Sequence, residues 1–247
     1  AEQLDILREL GCGYIQGYYL NKPVPLAEFE QMYMVNLLEN YGQIGYTEKI
    51  TNTYAGKIRM KRHTIVEYTH DFLRKYIGEG NICIDATAGN GNDTEFLCGL
   101  VGSEGKVIAF DIQEDAVNTT RSLLEMFGLD EIAEVYLDSH VNMDAYAEPD
   151  SVDGIVFNLG YLPGGDHSIC TSAETTIAAI KKGLTLLKPD GVMSVSVYSG
   201  KDSGFEEKDA VLSFLEALDS KDYTVIKNEF INKPNHPPIP IFIFKNY

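Results

Sequence analysis

The sequence predicts an α/β domain built on a mostly parallel, seven-stranded sheet that is closed by an antiparallel C-terminal hairpin strand. Three observations carry that prediction. From residue 64 onward, short apolar runs alternate with longer amphipathic ones, the pattern of parallel strands joined by crossover helices. The last two apolar runs, 223–230 and 239–245, are joined by a Pro-rich turn at 232–238 that is too short for a crossover, so they pair antiparallel. The first of the strands ends in an acidic residue and runs through a Gly-x-Gly turn into a helix, the usual entry to a doubly wound sheet.

Taken in order, a helix over 64–77 leads to a strand at 82–86, a helix at 93–100 and a strand at 106–111. Helix 114–127 precedes strand 133–137. A short helix at 141–146 then precedes strand 152–158, helix 172–187 and strand 191–198, and helix 206–218 opens the terminal hairpin. Before residue 64 the texture is different. The stretch 41–63 lacks sustained periodicity and reads as a linker, and residues 1–40 read as a helix end, a short strand and a second helix near 26–38. The expected organisation is therefore 1–40, 41–63 and a domain over 64–247.

Composition bounds the function. The chain has 247 residues, 44% of them hydrophobic and 23% charged, which fits a globular protein with one sizeable core. No run approaches the roughly 18 apolar residues of a membrane helix, and the first residues lack a signal-peptide pattern, so the expected compartment is the cytoplasm with no membrane partner. Cys12, Cys83, Cys98 and Cys170 show no C-x-x-C spacing and are expected to be reduced, mostly buried thiols, with no metal site. The net charge of −17 argues against broad phosphate binding. Any nucleic-acid contact must be local, and the one dense basic run, Lys57, Arg59, Lys61, Arg62 and His63, reads either as a solvated helix entry or as a phosphate-contacting patch.

The strongest local signal is Asp85-Ala-Thr-Ala-Gly89-Asn-Gly91-Asn-Asp93-Thr94. Glycines there let the backbone approach a ligand, and a helix start offers unpaired N–H groups. A second acidic residue, Asp111, closes the next strand about 20 residues later, the position from which ribose hydroxyls are accepted at a sheet switch point. A dinucleotide site normally has a third glycine where Thr94 stands. S-adenosylmethionine (SAM) has no phosphate, and polar side chains such as Asp85, Asn90 and Asp93 can meet its amino-acid end. An acidic rim also attracts its sulfonium and ammonium groups. SAM is therefore favoured over NAD.

The fourth strand ends in Asn158-Leu-Gly-Tyr161. In a doubly wound sheet this position faces the reacting group. The amide oxygen of Asn158 and a neighbouring carbonyl can accept N–H bonds from an amine, while Tyr161 lies against a planar base. The alternative is that Asn158 caps a turn and Tyr161 packs under the sheet. The absence of a cysteine here argues against a covalent route. His140, after the third strand, edges the adenine pocket or serves a structural polar role, and His167 and His236 show no partner.

With these residues in view, 64–247 resembles the bacterial methyltransferases once labelled rRNA methylases, which methylate 5-aminomethyl-2-thiouridine at the tRNA wobble position. The resemblance rests on Asp85 to Gly91, Asp93-Thr94, Phe110 to Gln113, Asn158-Leu-Gly-Tyr-Leu-Pro-Gly-Gly-Asp166, Thr175-Thr176, Asn232 and Pro237-Pro238. It implies a Rossmann-like class I SAM-dependent methyltransferase. Asp85, Gly89, Asn90, Gly91, Asp93, Asp111 and Gln113 would hold SAM, and Ala86, Ala88, Thr94, Ile112, His140 and Asn158 would complete the pocket. Asn158 and Tyr161 would act on the aminomethyl uridine of the tRNA anticodon loop. The chain departs from that family at Asn92, His167 and Tyr198 to Lys201.

Residues 10–25 with Glu28-Phe29 resemble the C-terminal end of an EAL domain, the cyclic di-GMP phosphodiesterase barrel. Such a barrel needs roughly 250 residues, and its active-site carboxylates are absent, so the segment is expected to be a remnant or the end of a longer fusion. Two other functions stay open at this point: a SAM-dependent methyltransferase of rRNA or a small amine, and a non-catalytic cyclic di-GMP-linked regulatory module. Oligomeric state is open too, a homodimer included.

Overall fold

The structure is a computed structural model that describes residues 64–159, 172–198, 204–233 and 237–247, together with two short strands at 14–15 and 24–25. The chain divides into two compact units, Ala1–Lys61 and Arg62–Tyr247. In the first unit, β1 (Tyr14–Ile15) pairs antiparallel with β2 (Val24–Pro25). The helix expected near 26–38, the basic run 57–63 and the thiols Cys12 and Cys170 lie outside the described residues.

The second unit begins with α1 (Ile65–Leu73). Its start is fixed by a capping box: the Thr64 hydroxyl accepts from Glu67 N, and the Glu67 carboxylate accepts from Thr64 N, both at 3.1 Å. Two otherwise unpaired N–H groups are thereby satisfied. The alternating elements follow as β3 (Ile82–Asp85), α2 (Asn92–Val101), β4 (Lys106–Asp111), α3 (Glu114–Phe127) and β5 (Ala133–Leu137). After a 3₁₀ turn at His140–Ala145 come β6 (Val152–Leu159), α4 (Ala173–Leu186), β7 (Leu187–Val197), α5 (Gly204–Glu216), β8 (Tyr223–Lys227) and β9 (Ile239–Lys245).

The seven strands lie in the order β5-β4-β3-β6-β7-β9-β8. Neighbours from β5 through β7 pair parallel, and β9 runs antiparallel to both β7 and β8. This is the expected architecture. Both faces of the sheet are covered, as a parallel sheet requires, and the strand period of two divides its side chains between two cores. In β6, Ile155 and Phe157 point into the core beneath α4, while Val156 points into the core with Leu73, Leu97, Val117 and Leu124. Cys83 and Cys98 are free and buried in that second core.

Three boundaries differ from expectation by three residues or more. Helix α1 closes at Leu73, although Ile77 beyond it is still buried. The chain leaves α4 directly into β7 at Leu187 rather than at 191. Leu187 pairs with Val152, but the next pair is Val192 with Gly154, so the intervening residues bulge outward and Asp190 takes a φ of 64°. The ammonium of Lys188 in that bulge meets Asp153 at 2.9 Å, and the same carboxylate accepts Ile82 N at 2.8 Å. The third difference is that β8 ends at Lys227 rather than at residue 230. Among the described residues no helix is long and apolar enough to cross a membrane.

Candidate active site

The connection out of β3 goes through α2 to β4 on one side, and the chain returns after β5 to lay β6 on the other. The C-terminal ends of β3 and β6 thus flank the switch point where such sheets bind ligands. Asp85 and Asn158 stand at those ends of β3 and β6, and Asp111 stands at the C-terminal end of the neighbouring β4.

Asp85 is fully buried. Its carboxylate accepts Thr87 N at 3.1 Å and the Thr94 hydroxyl at 2.7 Å. Thr94, buried at the place of the absent third glycine, therefore anchors the acid from the first turn of α2. Burial, reinforced by the charge of Asp93, pushes the Asp85 carboxyl up to about 7, against the pull of its two hydrogen bonds. Asp111 accepts Gly89 N and Gln113 N, each at 2.9 Å. Ala86 N and Ala88 N bond to the carbonyls of Val156 and Phe110, which ties the turn to the strands on both sides. Among the described residues no lysine or arginine pairs with Asp85, Asp93 or Asp111.

The two glycines of the turn have different duties. Gly89 has φ 54° and Gly91 φ 81°, in the left-handed region that glycine enters without strain. A Cβ on Gly91 would also lie 3.0 Å from Leu123 Cδ2 and 3.1 Å from Thr120 Cα. Packing against α3 thus requires Gly91, a demand that the sequence pattern attributed to a ligand. Thr120 is drawn in as well, its hydroxyl donating to Gly89 O at 3.2 Å.

His140 lies beside this turn. Its Nδ1 is 3.1 Å from Ala86 O, so the imidazole donates there, and Nε2 is left as a buried acceptor with no partner. Burial holds the ring below its usual pKa, which keeps it neutral, although Ala86 O and the charge of Asp111 pull the other way. Ile112 is largely exposed at the mouth, and Asn90 and Gln113 are partly buried.

On the other side of β3, Asn158 is partly buried. Its backbone N–H donates to the Thr87 hydroxyl at 2.8 Å, and its side-chain Nδ2 donates to Asp93 Oδ2 at 2.5 Å. A carboxylate can only accept, so Asp93 selects the amide orientation and leaves Oδ1 of Asn158 as an acceptor with no partner among the described residues. The other oxygen of Asp93 meets His70 Nε2 at 2.6 Å. Tyr198, just past β7, remains partly exposed. Desolvation of its hydroxyl and the charge of Asp93 nevertheless hold the phenol above its usual range.

The structure therefore brings together Asp85, Ala86, Ala88, Gly89, Gly91, Asp93, Thr94, Asp111 and Asn158 around one crevice. Tyr161, His167 and His236 lie outside the described residues. Sequence reasoning missed His70 and Thr87. The available signal for His70 was its place on α1, next to buried Thr69 and three residues before buried Leu73, on the stripe that faces the core. Among the described residues no group of three or more His, Cys, Asp or Glu side chains is arranged to hold a metal ion.

The family model described as "Putative rRNA methylase" matches residues 107–244. A chloroplastic tRNA (mnm5s2U34)-methyltransferase from Arabidopsis thaliana is 37% identical over 193 residues, 74% of this chain and 70% of the relative. Among solved structures, a "putative rRNA-methylase" from Clostridium thermocellum superposes with a TM-score of 0.73 at 44% identity, covering 75% of this chain and all of that one. A methyltransferase from Streptococcus mutans, crystallised in complex with SAH, gives a TM-score of 0.66 at 40% identity, covering 73% and 97%. With more than half of its length under the family model and extensive identity to these proteins across the domain that carries the crevice, the chain belongs to the rRNA-methylase family of class I methyltransferases.

Proposed function

We propose that this chain is a SAM-dependent N-methyltransferase acting on the 5-aminomethyl group of (2-thio)uridine at the wobble position of tRNA. The observation that carries the reading is the amide of Asn158, fixed by Asp93 so that Oδ1 stays available as an acceptor near the end of β6, beside carboxylates that have no lysine or arginine partner among the described residues. Similarity to the Arabidopsis tRNA methyltransferase supports the substrate, and the SAH complex of the Streptococcus relative supports the cofactor.

The residues present fit SAM. The unpartnered, buried Nε2 of His140 can accept from the amino group of an adenine. Asp111, already positioned by two backbone amides, has lone pairs left for ribose hydroxyls. The negative charge of Asp85 and Asp93 suits an ammonium and a sulfonium. Asn90, Gly89, Gly91, Ala86, Ala88, Thr94, Ile112 and Gln113 line the same turn. When bound, SAM supplies an electrophilic methyl group.

The protein's part is to bind, orient and desolvate the amine. Asn158 Oδ1 and the carbonyl of Leu159 accept the two N–H groups, leaving the nitrogen lone pair directed at the methyl carbon. Positioning of this kind removes up to about 7 to 11 kcal/mol of barrier in the best intramolecular models. Desolvation favours the neutral amine over the ammonium, so no dedicated base is required. In this reading the ring of Tyr161 stacks on the uracil. A wobble base already sits in a single-stranded anticodon loop, so presenting it costs less than opening a duplex. Residues 41–63 form a linker whose basic cluster supplies the few phosphate contacts of an otherwise acidic protein. Residues 1–40 are an EAL-type remnant with no part in the chemistry, and the enzyme works in the cytoplasm.

The test is nucleoside mass spectrometry of tRNA carrying 5-aminomethyl-2-thiouridine after incubation with enzyme and SAM. The N-methylated nucleoside is the expected product. If that nucleoside stays unmodified while SAM binds, the substrate assignment is wrong and the cofactor assignment stands.

A further inference from the structure

The most tightly knit polar contact outside the cofactor turn involves His70, which belongs to α1. His70 Nε2 lies 2.6 Å from Asp93 Oδ1, and both side chains are only 15% exposed. The imidazole is stacked on Phe96 with centroids 3.6 Å apart and an interplanar angle of 1°. The guanidinium of Arg74 sits 5.0 Å from the Phe96 ring centre. Phe96 thus clamps the imidazole in plane, and Asp93, one turn earlier in α2, receives its N–H. The opposite oxygen of Asp93 receives the amide of Asn158. Three elements, α1, α2 and β6, are therefore joined in a line: ring, carboxylate, amide.

We propose that His70 is a positioning residue for methyl transfer. It holds Asp93 in the one orientation that turns Asn158 with Nδ2 inward and Oδ1 toward the amine. The inference rests on the reading that Asn158 aims the substrate nitrogen. Without the His70 N–H, the carboxylate is free to rotate, the amide loses its fixed partner, and Asn158 can present Nδ2, a donor that repels the N–H groups it should receive. The carboxylate charge of Asp93 that suits the cofactor's ammonium stays in place when the His70 N–H is removed, so the defect falls more on turnover than on SAM affinity.

Two substitutions separate the donor from the ring. His70→Phe keeps an aromatic face on Phe96 and removes the N–H; His70→Gln keeps an N–H of similar reach and gives up the stack. His70→Phe is expected to lower kcat on tRNA carrying 5-aminomethyl-2-thiouridine at least about tenfold, with SAM affinity within about twofold, whereas His70→Gln recovers kcat to within about threefold of wild type. Wild-type kcat in His70→Phe, or equal loss in both variants, overturns the proposal. A second readout needs no RNA. Nitrogen-15 spectra of the free protein should show His70 protonated at Nε2, and an Asn158 side-chain amide proton protected from exchange in wild type and in His70→Gln. An unprotonated Nε2, or an Asn158 amide exposed in wild type, overturns the proposal even if the enzyme turns out to methylate a different substrate. A wild-type enzyme inactive on this tRNA whose spectra nevertheless show both features refutes the substrate and leaves the positioning role in place.

Discussion

The two halves of the crevice are held by different kinds of bond. On the β4 side, Asp111 is fixed by two backbone amides, and the turn that carries Gly89 is tied by main-chain bonds to strands on either side. On the β6 side, Asn158 is oriented through side chains alone, by Asp93 and through it by His70. Backbone donors are set by the path of the chain and tolerate change in distant side chains. A line of side chains has no such insurance, because removing any member frees the rest. The first half is a preformed receptor, and the second is an aiming device sensitive to residues that touch no ligand.

Substitutions at the two ends should give opposite signatures, and the largest effect belongs to the aiming half. Asn158→Ala is expected to cut methyl transfer by about 100-fold or more, the scale of a misplaced reacting group, with SAM binding within about threefold. Loss of SAM affinity in parallel would show that the two halves are one. Asp111→Ala should do the reverse. Removing a charge-assisted hydrogen bond costs about 1.5 to 3 kcal/mol, so calorimetry should show SAM weakened at least about tenfold. Unchanged affinity would place the ribose elsewhere.

A smaller effect comes from pH. The Asp85 carboxyl stands near 7 in the fold against 3.8 in an unfolded chain, so the folded protein holds more protons between those values. This contribution to stability is present below about pH 4 and is lost as pH rises to about 7. A bound cation favours the charged carboxylate, so SAM affinity should rise severalfold between about pH 6 and 8. Asp85→Asn should flatten both profiles, and a pH-independent affinity in wild type would remove Asp85 from the ligand's neighbourhood. The smallest effect is the absence of one. Deleting residues 1–40 should leave SAM affinity unchanged, since every residue assigned to the cofactor lies beyond them, and a deletion that fails to fold or bind would make that segment part of the receptor.

The same contrast explains what could be read in advance. Strand, acid, Gly-x-Gly and helix form one uninterrupted string from Ile82 to Thr94, and a backbone-built site needs little more than that string. The antiparallel pairing of β8 with β9 was legible because a short Pro-rich turn permits no crossover, whereas that turn does not say which of the two lies beside β7. The early start of β7 was not legible, because Pro189, Asp190 and Gly191 read as a turn, and only the pairing register shows that the strand bulges around them. His70 was hidden for a similar reason. Its place on the core-facing stripe of α1 marks it as packed, but its partner lies 23 residues away, so no local pattern marks it as a partner of Asp93. Gly91 was recognised but credited to a ligand, because a sequence cannot show that α3 presses on it.

The contact between Asp93 and the amide of Asn158 also constrains how this site can drift over evolutionary time. An aspartate at position 158 would retain an acceptor for an amine, but it would set two carboxyl groups within about 2.5 Å of each other at the place where Nδ2 now donates, and one of them would have to hold a proton at neutral pH to relieve the repulsion. Positions 93 and 158 are therefore not free to vary singly. Among relatives, aspartate at the second should travel with a neutral or hydrogen-donating residue at the first, so that the two columns of an alignment change together and a single exchange between them is a dead end.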